Sequence, residues 1–227
     1  MQPICAKQPR VRWVGLWLLL GCGCANVAAL QRPNTCGAGN GELALELGEQ
    51  ALFNKDTLQA YPTLGLAGRY GVTDSLDLGG RIGPSGFELQ AKFLLDDPKS
   101  RYPISLAPSA GLTVLDTGGI ALRFYNFSLP VLIGIPLPKG HQVVIAPRLS
   151  DALSQISAGS AGGLINVVSA GCSVGVAFHV WHLWLLPELG IQAPVLSTAQ
   201  RSDVSGGSTF GGARATAQGS FTVIWGG

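Results

Sequence analysis

From Thr63 to Phe93 the chain alternates, residue by residue, between bulky apolar side chains and polar or very small ones. Leu64, Leu66, Tyr70 and Val72 share one parity, and Thr63, Gly65, Ala67, Arg69 and Gly71 share the other. After Thr73-Asp74-Ser75 the pattern resumes with Leu76, Leu78 and Ile82 against Asp77, Gly79 and Arg81. Past Gly83-Pro84-Ser85 it returns as Phe87, Leu89, Ala91 and Phe93 against Glu88, Gln90 and Lys92. A period of two belongs to strands, whose successive side chains point to opposite faces, and the short polar breaks read as hairpin turns. The alternation by itself leaves the solvent open. A soluble sheet turns its apolar face into a core, whereas a transmembrane barrel turns it to lipid and its polar face to the lumen.

Composition favours lipid. Charged residues are 12% of the 227, about half the usual share of ~25%, and mean hydropathy is +0.32. Beyond the N-terminus no run of 18 apolar residues exists, which argues against a helical membrane protein. The polar parity is dominated by Gly, Ala, Ser and Thr, which is too uncharged for an outer surface in water. A formal net charge of +2 with no basic patch gives nucleic acid nothing to bind.

Carried through the chain, the pattern predicts a closed antiparallel up-and-down transmembrane β-barrel. Ten strands are expected at 43–53, 58–72, 76–83, 87–95, 104–116, 119–137, 142–150, 164–181, 183–195 and 214–225. Tight connections at 73–75, 138–141 and 182 alternate with longer ones at 54–57, 151–163 and 196–213, which are expected to be exposed loops on the other side. The connection 96–103 is long for its side, which keeps an eight-strand barrel open.

The first residues read as an export leader. Lys7, Arg10 and Arg12 precede the apolar run Trp13 to Leu20, too short to span a membrane. Its end, Leu19-Leu20-Gly21-Cys22, resembles the lipobox of bacterial lipoproteins, which implies lipidation at Cys22. On that reading residues 1–21 are the signal peptide, 22–41 a lipidated flexible tether and 42–227 the barrel domain. An ordinary cut near Ala25 or Ala28-Ala29 is the alternative. Either way the chain is exported to where disulfides are permitted. Five cysteines leave an odd count: Cys5 lies in the leader, Cys22 is the lipid site, Cys24 and Cys36 can pair, and Cys172 remains.

Two further resemblances point to the bacterial outer membrane. Phe221, Val223 and Trp225 look like the recognition signal on the last strand of outer-membrane barrels, which implies the outer-membrane assembly machinery as a partner. The stretch Gly68-Arg69-Tyr70-Gly71-Val72-Thr73-Asp74-Ser75-Leu76-Asp77-Leu78-Gly79 and, more loosely, Pro187-Glu188-Leu189-Gly190 resemble hairpins of the same barrel families. Membrane lipid is then the surrounding partner, with the lipid anchor and both chain ends on the periplasmic side.

The inward parity collects Glu46, Asp77, Glu88 and Glu188 with Arg69, Arg81, Lys92, Arg123, Arg148 and Arg214, joined by Gln90, Gln192 and Gln218. Charges of both signs in a narrow lumen read first as paired ladders filling a barrel core, and second as the lining of a small-solute pore. His179 and His182 beside Trp181 and Trp184 read as an interfacial aromatic cluster, because no Ser and acid accompany them in a triad pattern. No catalytic residue, metal ligand set or cofactor is expected. The rivals to a non-enzymatic structural, surface-interaction or pore barrel are a lipid-anchored soluble barrel holding an apolar ligand and an outer-membrane hydrolase.

Overall fold

The computed structural model describes residues 31–53, 58–83, 86–98, 100–117, 120–158, 161–202 and 215–226. Its strands are β1 (Gly41–Phe53), β2 (Leu58–Thr73), β3 (Leu76–Gly83), β4 (Gly86–Leu94), β5 (Ile104–Leu106), β6 (Ser109–Thr117), β7 (Ile120–Pro136), β8 (Gln142–Ala158), β9 (Ala161–Val180), β10 (Leu183–Ser202) and β11 (Ala215–Gly226). The strands pair antiparallel around the barrel, and β1 pairs β11 from Glu42 opposite Gly226 to Phe53 opposite Ala215, which closes the sheet. β5 and β6 share one place between β4 and β7, so the barrel has ten staves and the eight-strand alternative falls. Pro108 causes the split, since it has no N–H for the ladder. The backbone makes local bonds instead, Ala107 N–H to the Pro130 carbonyl (3.0 Å) and Ala91 N–H to the Pro108 carbonyl (3.0 Å).

One end of the barrel carries the start of β1 and the finish of β11, with the connections near 74–75, 95–103, 138–141 and 181–182. The long connection 95–103 is tied down rather than free. Leu95 N–H reaches the Ile104 carbonyl (2.8 Å), and hydrogen bonds from Ser100 and the Asp97 N–H hold the Asp96 carboxyl below its ordinary range.

The two parities separate as the alternation predicts. Leu64, Leu66, Tyr70, Leu78, Phe87, Leu89 and Leu149 point outward, Leu89 at 63% exposure. Glu46, Arg69, Asp77 and Lys92 point inward and are buried. An apolar surface that wraps a whole barrel is far beyond the patch sizes a monomer tolerates in water, and lipid is the medium that accepts it. The soluble alternative, with its apolar face inward, is contradicted by this orientation. Exposed rings stand at both edges of the belt: Tyr70, Phe93, Phe178 and Trp225 toward the terminal end, Phe53, Phe87 and Phe127 toward the other.

The expected loops over 151–163 and 196–213 need correction. β8 continues to Ala158, β9 starts at Ala161, and their register runs unbroken from Gln142 opposite Ala177 to Ala158 opposite Ala161. β10 likewise runs on to Ser202 past a bulge between Pro194 and Leu196, while residues 203–214 lie outside the described residues. A polar sequence does not end a strand whose N–H and C=O groups find partners in the ladder, from β7 and β9 for the end of β8 and from β9 for the end of β10. β8, β9 and β10 therefore have 17, 20 and 20 residues, against 8 and 9 in β3 and β4. A tilted crossing needs ~9–11 residues. Tight turns fix the lower ends of these strands, so their surplus rises about 15–20 Å beyond the membrane on the far side.

The face assignment makes a direct prediction. Leu89→Arg puts a charge into lipid near the middle of β4 and should cost about 2–4 kcal/mol. Gln90→Glu, one residue along, keeps the volume and shares its void with Arg69 and Arg81, so it should cost clearly less. Urea titration of both variants in liposomes measures the difference, and equal losses would contradict the assignment.

Candidate functional site: the segment that closes the lumen

The inner face of β1–β4 is built from charges that stand opposite one another in register. Glu42 faces Arg69, Asp77 faces Lys92, and Arg81 faces Glu88. Cross-strand neighbours of this kind lie close enough to pair. Arg69 lies 3.0 Å from Glu42, Lys92 Nζ 2.8 Å from Asp77, and Arg81 3.1 Å from Glu88. Arg81 also reaches across β2 to Glu46 on β1 at 2.7 Å. Lys92 and Asp77 are the deepest pair, each almost without solvent contact. The space left among Glu46, Arg69, Arg81, Glu88 and Gln90 is about 10 Å³, room for about one water molecule.

The rest of the lumen differs. On β8–β11, Arg148 donates to Ser173 Oγ (3.2 Å), Ser220 Oγ to Glu188 (3.1 Å), and Gln192 to Ser150. Toward the terminal end, Ala107, Leu132, Val144, Ala146, Ala177 and Leu186 pack into an apolar cluster with Trp184 against it. Eight of the ten charged residues expected inside are found there: Glu46, Arg69, Asp77, Arg81, Glu88, Lys92, Arg148 and Glu188. Arg214 lies outside the described residues. Arg123 is a correction, since it is exposed and shares the outward parity of Phe127 and Leu129. It sits opposite Gln155 near the far end of β7, above the apolar belt. There an outward guanidinium reaches headgroups or water and needs no lumen partner.

The largest departure concerns residues 31–40, expected to be a free tether. They lie across the mouth of the barrel at its terminal end, with Gln31, Arg32, Pro33 and Cys36 buried. Gly39 and Asn40 are joined to Gly71 by backbone hydrogen bonds of 2.9 Å each. Gly71 can have no side chain here, because a Cβ would overlap the backbone of Gly37. Further in, the Cys36 N–H donates to both oxygens of Asp77 (3.0 and 3.1 Å), and Lys92 Nζ to the Asn34 carbonyl (2.6 Å). Ser105 Oγ, on β5 beside β4, donates to the Pro33 carbonyl. Arg32 pairs with Glu42 and lies 4.5 Å above the Trp184 ring, and Arg69 donates to Gln31. Asp77, Lys92, Arg69 and Glu42 thus serve the wall and the segment together. A chain with so many buried polar partners is part of the fold.

Neither the segment nor the inner apolar cluster was expected. The cluster did leave a signal: Leu129–Ile135 is apolar on both parities, which marks a strand packed on both faces. Gln31-Arg32-Pro33-Asn34 has no periodicity, so its partners had to be seen in three dimensions.

The three histidines gather at the terminal end. The His179 N–H donates to His141 Nδ1 (3.1 Å), and the His179 ring stacks on Trp184 at 4.6 Å. Trp181, 89% exposed, holds a left-handed φ of 59° in the two-residue turn to β10, which places its ring at the edge of the apolar belt. Among the described residues no three His, Cys, Asp or Glu side chains are grouped as a metal site.

No family model matches the sequence, and no curated protein matches it. Among solved structures it is similar to Neisserial surface protein A, at 7% identity over 82% of this chain and 96% of that one, with a TM-score of 0.44. It is similar to the translocator domain of the autotransporter NalP from Neisseria meningitidis, at 11% identity over 94% and 95%, with a TM-score of 0.46. A major outer membrane protein from Thermus thermophilus gives 13% identity over 82% and 99%, with a TM-score of 0.41. These likenesses concern the shape of the chain, and the reading of the site rests on its own geometry.

Lys92→Met should destabilise the barrel by about 3–5 kcal/mol, because it strands the Asp77 carboxylate inside. Adding Asp77→Asn should recover part of that loss. Heat-modifiability on gels and urea midpoints test this, and a double variant weaker than the single one would contradict it.

Proposed function

We propose that the protein is a closed barrel of the bacterial outer membrane that acts as a structural or surface-interaction element, with no open solute path. One observation carries this reading: residues 31–37 cross the mouth, and the void beside them among Glu46, Arg69, Arg81, Glu88 and Gln90 is only about 10 Å³. A pore for small solutes needs a continuous aqueous path, and an ion-pair layer with the chain packed beneath it offers none.

Several features support the outer membrane as the location. The apolar belt is crossed by strands and not helices, and ten is an even count with both ends of the sheet on one side, the periplasmic side in bacterial barrels. The terminal strand alternates Phe221, Val223 and Trp225 on its outward face, as the assembly machinery of that membrane would read it. Cys22 lies outside the described residues, so a lipid anchor there and a cut at Ala28-Ala29 stand as rival readings of one leader.

The raised wall of β7–β10 is the natural contact surface. Its outward face changes character along the strands: Phe127, Leu149, Val168 and Leu196 give way to Arg123, Gln155, Asn166 and Thr198. A belt that ends in polar groups, with strands continuing past it, presents hairpins to the cell exterior. Binding tends to reside on such projections from a rigid scaffold.

Planar-bilayer recording of the purified protein tests the closed lumen. The wild type should show no steady conductance, and deletion of residues 31–37 should produce discrete openings. Steady openings from the wild type would overturn the reading in favour of a pore.

A further inference from the structure

We propose that a groove on the outer face of β1, β2 and β11, at the terminal end of the apolar belt, seats one acyl chain of a glycerophospholipid from the leaflet at that end. The groove has a volume of about 630 Å³ and is lined by Leu43, Gly68, Tyr70, Leu78 and Trp225. That is within the ~300–1,000 Å³ of ordinary ligand pockets. The proposal rests on the reading of the barrel as embedded in a membrane.

The shape of the groove follows from register. Across the outer face one row runs Trp225, Leu43, Gly68, Gly80 and Leu89, each opposite the next. Bulky side chains stand at both ends of the row, and the two glycines between them leave bare backbone. Leu66 opposite Ile82 forms the next row toward the membrane centre, and Tyr70 opposite Leu78 the next toward the terminal end. The floor is a gap two strands wide, at roughly 5 Å per strand, framed by apolar and aromatic groups.

The packing of the protein itself does not call for glycine at 68. At Gly71 and Gly79 a Cβ would overlap Gly37 and Arg69. At Gly68 it would meet only Leu43 Cδ2 at 3.5 Å and the Glu42 carbonyl at 4.0 Å, which is ordinary contact. The ladder is regular there on both sides, so no bulge explains the residue either. A strand glycine of this kind marks a place where another molecule approaches the backbone closely.

The surroundings select a lipid chain as that molecule. The groove is continuous with the apolar belt, so whatever covers the belt reaches into it. Its lining offers no charge: Glu42 and Arg69 border it, but their side chains turn inward and pair at 3.0 Å. A peptide or a sugar would leave its polar groups without partners on such a surface. The Tyr70 hydroxyl and the Trp225 indole N–H have no hydrogen-bond partner among the described residues, and both rings are exposed at the edge of the belt. Amphipathic rings at that depth meet the headgroup region, where their donors reach the ester carbonyls of a glycerophospholipid.

The test places the purified protein in phosphatidylcholine liposomes that contain a phosphatidylcholine with a diazirine in its acyl chain. After illumination, peptide mass spectrometry maps the adducts. They should concentrate on Leu43, Tyr70, Leu78 and Trp225, several-fold above Ile135 and Phe178, which face outward at the same end on β7 and β9. Gly68→Leu and Gly68→Phe fill the floor and should remove that excess while Ile135 and Phe178 label as before. Heat-modifiability on gels checks that both variants fold, and the wild-type map stands without them. Even labelling along this end of the belt, or an excess that survives both substitutions, overturns the proposal. So does a dimer in native mass spectra that Gly68→Phe dissociates, since a second copy would then occupy the groove. Adducts nowhere on the belt would remove the membrane reading together with this one, so the two failures are distinguishable.

Discussion

A charge in the wall of a lipid-immersed barrel has one direction in which to point, and once inside it needs an opposite charge within reach. The cost of leaving it unpaired is several kcal/mol per ion, a large fraction of the ~5–15 kcal/mol that holds a domain together. β1–β4 meet this demand through register. Asp77 faces Lys92, Arg81 faces Glu88, and Glu42 faces Arg69, so closing the hairpins also closes the ion pairs. The same carboxylates and cations have capacity to spare, and the segment 31–37 takes it up. Asp77 accepts the Cys36 N–H, Lys92 donates to the Asn34 carbonyl, and Glu42 takes Arg32. Pairing, plugging and barrel closure are in this sense one event.

The two walls of the lumen solve the filling problem differently. One uses charges, and the other uses Leu132, Val144, Ala146, Ala177 and Leu186 against Trp184. Arg32 joins them, its guanidinium on Glu42 and over the Trp184 ring. The apolar wall belongs to the strands that rise highest on the far side. A tall sheet exposed to water above the membrane needs firm packing at its base, and the inner cluster provides it.

Much of the fold was legible because a barrel in lipid obeys a strict period. The run from Leu58 to Leu94 could be read position by position, and its parity told Asp77, Arg81, Glu88 and Lys92 to face inward. Where the period-two signal weakened, the reading weakened too. Residues 151–158 look like a loop by polarity, yet β7 and β9 satisfy their backbone on both sides. Arg123 was assigned by charge instead of by the parity of Phe127, and near a strand end charge is a poor guide to face. Pro108 explains why one stave reads as long and irregular. Residues 31–37 have no period at all; their order comes mostly from partners far along the chain, such as Arg69 for Gln31 and Ser105 for Pro33.

The claim on which all else rests is that the apolar parity meets lipid while the polar parity is sealed within. Nitroxide side chains placed singly along β4, in a background without other thiols, test it by relaxation with oxygen and with a water-soluble nickel complex. The account predicts a strict period of two. Positions 87, 89 and 93 should respond to oxygen, which concentrates in lipid, and positions 88, 90 and 92 should be shielded from both reagents. Nickel reaching 87, 89 and 93 more than oxygen does would contradict it, and would put water where the account requires lipid.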